Sequence, residues 1–166
     1  VTDAMFLAAA RTLARWTTQA DLDQGSLYPR LGGGREGSLR IALEVAEGLI
    51  LARDRPDPVT FAVQPDHVLG VSPPALLLAR LTVRRPVGRV LDLGCGGGVQ
   101  ALLAARHAQS VVGVDLNPRA LAFARFNALL NGVRNVEWRE GDLFGPVAGE
   151  RFDRVVSNPP YVVSPE

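Results

Sequence analysis

The chain has 166 residues, 47% hydrophobic and 21% charged, with a formal net charge of +1. That length suits one ordinary domain or one domain with a small appendage, and the composition supports a packed core. The charges are evenly spread, ten Arg against nine acids in residues 1–85 and eight against eight in 86–166, so no basic arm or acidic tail stands out. All eighteen basic residues are Arg, the usage expected of a GC-rich bacterial genome. The single Cys95 excludes an internal disulfide and a Cys-rich metal site, and no metal is called for. No leader pattern and no bilayer-length apolar run is present, so the expected home is reducing and cytoplasmic.

Residues 3–16 read as a helix, with Asp3 as candidate N-cap and Met5, Phe6, Ala9, Leu13 and Trp16 near one face. "GSLYPRLGGGREGS" is a Gly-rich connection; without a Gly-Lys-Ser/Thr ending it is not a phosphate loop. "LRIALEVAEGLILAR" reads as a second helix, burying Ile41, Val45 and Leu49. "DRPDP" breaks the chain, which places a boundary near Pro58: a helical N-terminal region over 1–57 and a second domain over 58–166. "VTFAV" is a short strand. "ALLLARLTV" is helical, with Pro74 suited to its start.

From Arg89 strands and helices alternate. "RVLDLG", "SVVGVD", "VEWREGD" and "FDRVVSN" are strands; "VQALLAARHA" and "PRALAFARFNALLNG" are helices, the latter ended by Gly132. Runs such as Val90-Leu91 and Val111-Val112 suit strands buried on both faces. The expectation is an α/β fold with a Rossmann-like parallel sheet and right-handed crossovers.

"DLGCGGG" ends a strand and opens a helix. Gly94, Gly96 and Gly98 alternate, as a turn approached closely by a ligand requires. A plain strand-to-helix turn would also use glycine. Asp115 ends the next strand, 23 residues beyond Asp92. An acid there suits the two ribose hydroxyls of an adenosine cofactor. Asp115 or Asn117 can equally cap the helix at Pro118. "GCGGGV" departs from the dinucleotide pattern, with Val99 where the last Gly would stand. Asp92 would repel a pyrophosphate and attract an ammonium group, which favours S-adenosylmethionine.

"DLGCGGG", "VVGVDLNP", "EGDLF" and "SNPPY" together resemble the successive signatures of class I S-adenosylmethionine-dependent methyltransferases, over roughly residues 65–166. The resemblance implies cofactor contacts from Asp92, Gly94, Cys95, Gly96, Gly98, Asp115, Leu116, Asp142, Leu143 and Asn158, with Asp142 and Leu143 bordering adenine. "NPPY" is similar to the signature of enzymes that methylate a planar nitrogen: adenine N6, guanine N2 or a glutamine amide. It implies that Asn158 and Pro159 offer carbonyls to the target amine, that Pro159 and Pro160 fix their direction, and that Tyr161 stacks on or closes over the acceptor. "GERFDRVVSNPPYV" looks like the release-factor glutamine methyltransferases. "PDHVLGVSPPALLLA" is nearer to ribosomal-RNA guanine-N2 methyltransferases. The expected partner is therefore a macromolecular methyl acceptor, whether RNA, DNA or a release factor. His67 is either a structural histidine or a contact to cofactor or substrate. The family's sheet has seven strands, so the chain is expected to be a fragment truncated after the fourth strand of the alternating series. Two further readings are a non-catalytic cofactor-binding partner subunit and a nucleotide-binding oxidoreductase, which leaves "NPPY" unexplained.

Overall fold

A computed structural model describes residues 41–54 and 66–159. Its elements are strands β1 (Ile41–Ala46) and β2 (Leu49–Asp54), helix α1 (Pro73–Leu81), strand β3 (Val87–Leu93), helix α2 (Val99–Ala104), strand β4 (Ala108–Asp115), helix α3 (Pro118–Leu130), strand β5 (Val136–Glu140), a short 3-10 turn (Gly145–Val147) and strand β6 (Arg154–Ser157).

Strands β3 to β6 form one parallel sheet in the order β5-β4-β3-β6, with α2 and α3 in its crossovers. The alternating series read from Arg89 onward is therefore present. Val90 and Val111 pack with Ala101 and Ala104 of α2 on one face. Leu91, Leu93, Val112 and Val114 pack against Val147 and Phe152 on the other. Two-sided burial is why these strands read as apolar runs.

The helix boundaries follow local chemistry. Ser72 caps α1 by accepting from the Ala75 N–H at 3.3 Å, and prolines occupy its first positions. Asn117 caps α3 by accepting from the Arg119 N–H at 2.9 Å. Gly132, with φ 67, follows the α3 C-cap as expected. Helix α2 stops at Ala104, four residues short of the expected His107-Ala108 end, because Ala108 already begins β4.

The second helix expected over 39–53 is not there. Residues 41–54 form an antiparallel hairpin pairing Ala46 with Leu49 and Ile41 with Asp54. Glu47 and Gly48 make its two-residue turn, both left-handed with φ 49 and 74, as such hairpins require. The 1,5,9 spacing of Ile41, Val45 and Leu49 fits a helix, but Gly48 is inexpensive only in the turn. The expected helix at 3–16, the strand "VTFAV" and the boundary near Pro58 lie outside the described residues.

The hairpin explains why α3 is buried nearly all round. One flank of α3 meets the sheet. Another meets β2, where Ile50 and Ala52 pack with Val68, Phe123, Phe126 and Leu130. Phe123 and Phe126 are fully buried, each contributing roughly 1.5–3 kcal/mol. The other side of β2 sends Leu49 and Leu51 against Ala79, Leu102 and Leu103. At the end of β2, Asp54 exchanges backbone and side-chain bonds with Val68 (3.2 and 3.0 Å) and forms an ion pair with Arg119.

Candidate functional site

The site lies at the C-terminal ends of the parallel strands, where a doubly wound sheet opens its ligand crevice. Between β3 and α2 runs the turn Gly94–Gly98. Gly94, Gly96 and Gly98 all have positive φ (68, 52 and 87), a conformation costly for any other residue. They differ in what surrounds them. Side chains added at Gly94 or Gly96 would meet nothing within 4 Å, whereas one at Gly98 would lie 2.8 Å from the Trp138 ring. The first two glycines thus leave open space beside the main chain, and the third permits tight packing.

Asp115 touches this turn. One carboxylate oxygen accepts from the Gly96 N–H at 2.7 Å, and the other from the Asn117 N–H at 2.9 Å. The side chain remains partly exposed. A carboxylate has about four lone-pair directions, so capacity remains for hydroxyl donors. Of the two capping candidates, Asn117 is the cap of α3, while Asp115 braces both Asn117 and the glycine turn.

Asp92 is 1% exposed and accepts from the Ala101 N–H of α2 at 2.8 Å. Burial pushes its pKa up to about 7, against the Ala101 bond that favours the charge, and the Asp115 charge pushes the same way. The expectation of an acid presented to a cation at the strand end is therefore refined: the carboxylate turns inward, onto the helix. Cys95 is also buried, its thiol pushed well above its ordinary range by burial and the neighbouring acids. That makes it a packing residue with an inert thiol.

At the end of β4, Leu116 is 67% exposed, and after β5 Leu143 is 63% exposed with φ 43. The Gly141 N–H donates to the Asp115 carbonyl at 3.1 Å, which joins the two segments; Asp142 is exposed and its carbonyl accepts from Gly145 at 2.9 Å. Two apolar side chains and an acid thus stand unburied at one end of the sheet. On the other side of β3, the register pairs Leu93 with Ser157, and the Ser157 hydroxyl donates to the Leu93 carbonyl at 2.8 Å. Asn158 therefore leaves β6 beside Gly94. It is half-buried, and Pro159 is exposed. Pro160 and Tyr161 lie outside the described residues. His67 has its Nδ1 4.0 Å from Asp54 and a side chain only 9% exposed, surroundings that suit the structural reading.

Three residues at the site were not singled out from sequence. Trp138 of β5 lies over Gly98 and Gly113; a Cβ at Gly113 would fall 2.6 Å from its ring. A glycine within a strand signals such close approach, so Gly113 carried the hint. Asn127 of α3 and its C-cap Asn131 hold β2, and Asn127 also donates to the Gly97 carbonyl at 2.9 Å. Nothing in a polar residue within a helical stretch marks it as buried.

The open glycines and the partly exposed, braced acid at the end of β4 fit an adenosine cofactor at this turn. Among the described residues, no group of three His, Cys, Asp or Glu is placed to hold a metal ion, and no helix is long and apolar enough to cross a membrane.

Comparison with known proteins agrees with this geometry. The chain is 37% identical over 136 residues to the release factor glutamine methyltransferase of Geobacter sulfurreducens, covering 72% of this chain and 47% of that protein. It is 42% identical over 74 residues to the ribosomal RNA small subunit methyltransferase C of Alcanivorax borkumensis, covering 45% of this chain and 22% of that protein. The chain thus spans about half the length, or less, of these curated relatives. Among solved structures, the T. thermophilus 16S rRNA N2 G1207 methyltransferase in complex with AdoMet and guanosine superposes with a TM-score of 0.55 at 25% identity, over 83% of this chain and 37% of that one. A profile for the malic enzyme NAD binding domain matches residues 1–50 and stops short of the glycine turn. The profile of the methyltransferase small domain matches residues 72–166. That is more than half of the chain and includes every element of the site: the chain belongs to the methyltransferase small domain family.

Proposed function

We propose that this chain carries the cofactor-binding part of an enzyme that methylates a planar nitrogen with S-adenosylmethionine, and that the nitrogen is the side-chain amide of a release-factor glutamine. The observation that carries the reaction class is the register of β3 and β6, which sets Asn158 beside Gly94 at the mouth of the glycine turn. An amine acceptor next to a cofactor turn is the arrangement that methyl transfer to nitrogen needs.

The residues divide the work. Gly94 and Gly96 leave room for the cofactor, Asp115 offers its spare lone pairs to ribose hydroxyls, and Leu116 and Leu143 flank adenine with Asp142 near its exocyclic amine. Asp92, turned onto the Ala101 N–H, acts on the ammonium group through space and not by contact. The bound cofactor provides an activated methyl on a sulfonium. Asn158 and the Pro159 carbonyl accept the N–H bonds of the target, which orients a nitrogen whose lone pair is otherwise delocalised. For Pro160 and Tyr161, outside the described residues, the roles are those the motif implies: the proline stiffens the turn and the ring stacks on a flat acceptor.

The glutamine acceptor is favoured by the similarity to the Geobacter release factor glutamine methyltransferase, which extends over 72% of the chain. Near-neutral charge suits a protein partner. Guanine N2 is the second reading, supported by the similarity to the rRNA enzymes.

The test is methyl transfer from labelled S-adenosylmethionine by the complete protein, with purified release factor and rRNA as competing acceptors. Label in a release-factor glutamine is expected. Label only in rRNA selects the second reading. Calorimetry showing NAD bound and S-adenosylmethionine not bound would overturn both.

A further inference from the structure

Asn127 of α3 and Asn131, the C-cap that follows the helix, stand four residues apart and grip β2 in the same way. Asn131 accepts from the Ile50 N–H at 2.9 Å and donates to the Ile50 carbonyl at 2.7 Å. Asn127 accepts from the Ala52 N–H at 2.6 Å and donates to the Ala52 carbonyl at 3.1 Å. Four residues of helix rise about 6 Å, and two residues of strand advance roughly 6.6 Å, so the spacings match. Each amide pairs with one strand residue as a neighbouring strand would.

Beyond β2 the two differ: the Asn131 amide donates to the Asn127 carbonyl at 2.8 Å, within its own turn of chain, whereas Asn127 reaches the glycine turn. The Asn127 amide also donates to the Gly97 carbonyl, at 2.9 Å, within the glycine turn. Asn127 is 1% exposed, so water does not compete for these bonds. Its contact lies on the packed side of the turn: a Cβ at Gly97 would lie 3.5 Å from the Asn127 amide and 3.8 Å from Val68, whereas Gly94 and Gly96 face open space.

We propose that Asn127 is a positioning residue for the cofactor turn, tying the Gly97 peptide to the hairpin so that turn and hairpin move as one body. This rests on the reading of the turn as the S-adenosylmethionine site. A turn with three left-handed glycines loses much conformational freedom when it orders. Asp115 restrains it at Gly96 from the ligand side. Asn127 restrains the next residue from behind, where no ligand group need displace it. A turn held this way is already in its binding shape, whereas a loose turn binds only in the fraction of molecules that are competent. By linkage, cofactor that stabilises the turn must also stabilise the grip on β2.

The test compares Asn127→Leu with Asn131→Leu in the complete protein. Both lose two bonds to β2; Asn127→Leu also loses the bond to Gly97, and Asn131→Leu the bond to the Asn127 carbonyl. With both folded by circular dichroism, Asn127→Leu should weaken S-adenosylmethionine binding at least about tenfold, a loss of about 1.4 kcal/mol. Asn131→Leu should leave it within about twofold, although its melting temperature falls. Equal effects of the two variants, or none from Asn127→Leu, overturn the proposal. Should Asn127→Leu fail to fold, amide exchange in the wild type decides. Saturating S-adenosylmethionine should slow exchange at Ala52, which does not line the glycine turn, and an Ala52 amide indifferent to cofactor overturns the tether. A folded wild type that binds no S-adenosylmethionine removes the reading of the site itself, a result distinct from a wild type that binds and variants that do not differ.

Discussion

The Asp115 carboxylate accepts the Gly96 N–H at 2.7 Å, joining the end of one parallel strand to the turn that follows its neighbour. The acid is thus part of the turn's architecture before any ribose arrives. Asp115→Ala should therefore weaken S-adenosylmethionine binding by more than the lost ribose bonds alone. Hydrogen bonds to a charged group contribute about 1.5–3 kcal/mol each, so a rise in Kd of well over tenfold is expected by calorimetry. An unchanged Kd would reduce Asp115 to a brace for the Asn117 cap.

Asp92 predicts a pH dependence. Its folded pKa of about 7 stands above the ordinary 3.8 because of burial. Between those values the native state holds a proton that the unfolded chain has released. Stability from this group is therefore fully present below pH 3.8 and is lost as pH rises through about 7. Asp92→Asn stays neutral and should remove that slope: its stability relative to wild type, from urea melts, should rise between about pH 4 and 7 and level off above. Cofactor binding should run the other way. The wild type should bind the ammonium group more tightly as Asp92 ionises, and Asp92→Asn should lose that trend. Parallel pH curves for the two proteins would show that Asp92 is not the titrating group.

Gly113→Ala tests packing without backbone strain. The added methyl would fall 2.6 Å from two Trp138 ring atoms. Overpacking of this kind costs typically about 1–3 kcal/mol. Trp138→Leu should recover part of the loss in the double variant, because the two changes share one contact. Additive losses in denaturant melts would place the clash elsewhere.

Asn158→Ala should separate chemistry from binding. Removing one preorganised polar contact commonly lowers turnover by about 10²–10³, while cofactor affinity should move far less. Near-normal turnover with either acceptor would remove Asn158 from the amine site.

The parallel sheet was legible because burial on both faces writes itself as unbroken apolar runs, and because Pro74, Asn117 and Gly132 mark helix ends with their own chemistry. The glycine turn was legible for a similar reason, since positive φ demands glycine. The hairpin was not. Ile41, Leu43 and Val45 alternate as a strand does, yet Ile41, Val45 and Leu49 also keep helical spacing. The deciding signal was the Glu47-Gly48 turn, which reads as a tolerated interior glycine once a helix is assumed. Asn127 and Asn131 were invisible for a deeper reason. A polar side chain on a helix looks solvent-facing unless one knows that a strand lies against it. Asp92 was located correctly at the strand end, but its inward turn onto Ala101 depends on where α2 begins in space.

Trp138 also gives the protein an optical voice. The chain has two tryptophans, and the other is Trp16. Within these 166 residues, Trp16→Phe would leave one indole, a ring lying against Gly98 at the foot of the glycine turn. Anything that closes or loosens that turn alters the polarity and mobility around the indole. Emission wavelength and anisotropy then become a direct, label-free record of the turn's state, readable on the stopped-flow timescale and without any knowledge of the acceptor.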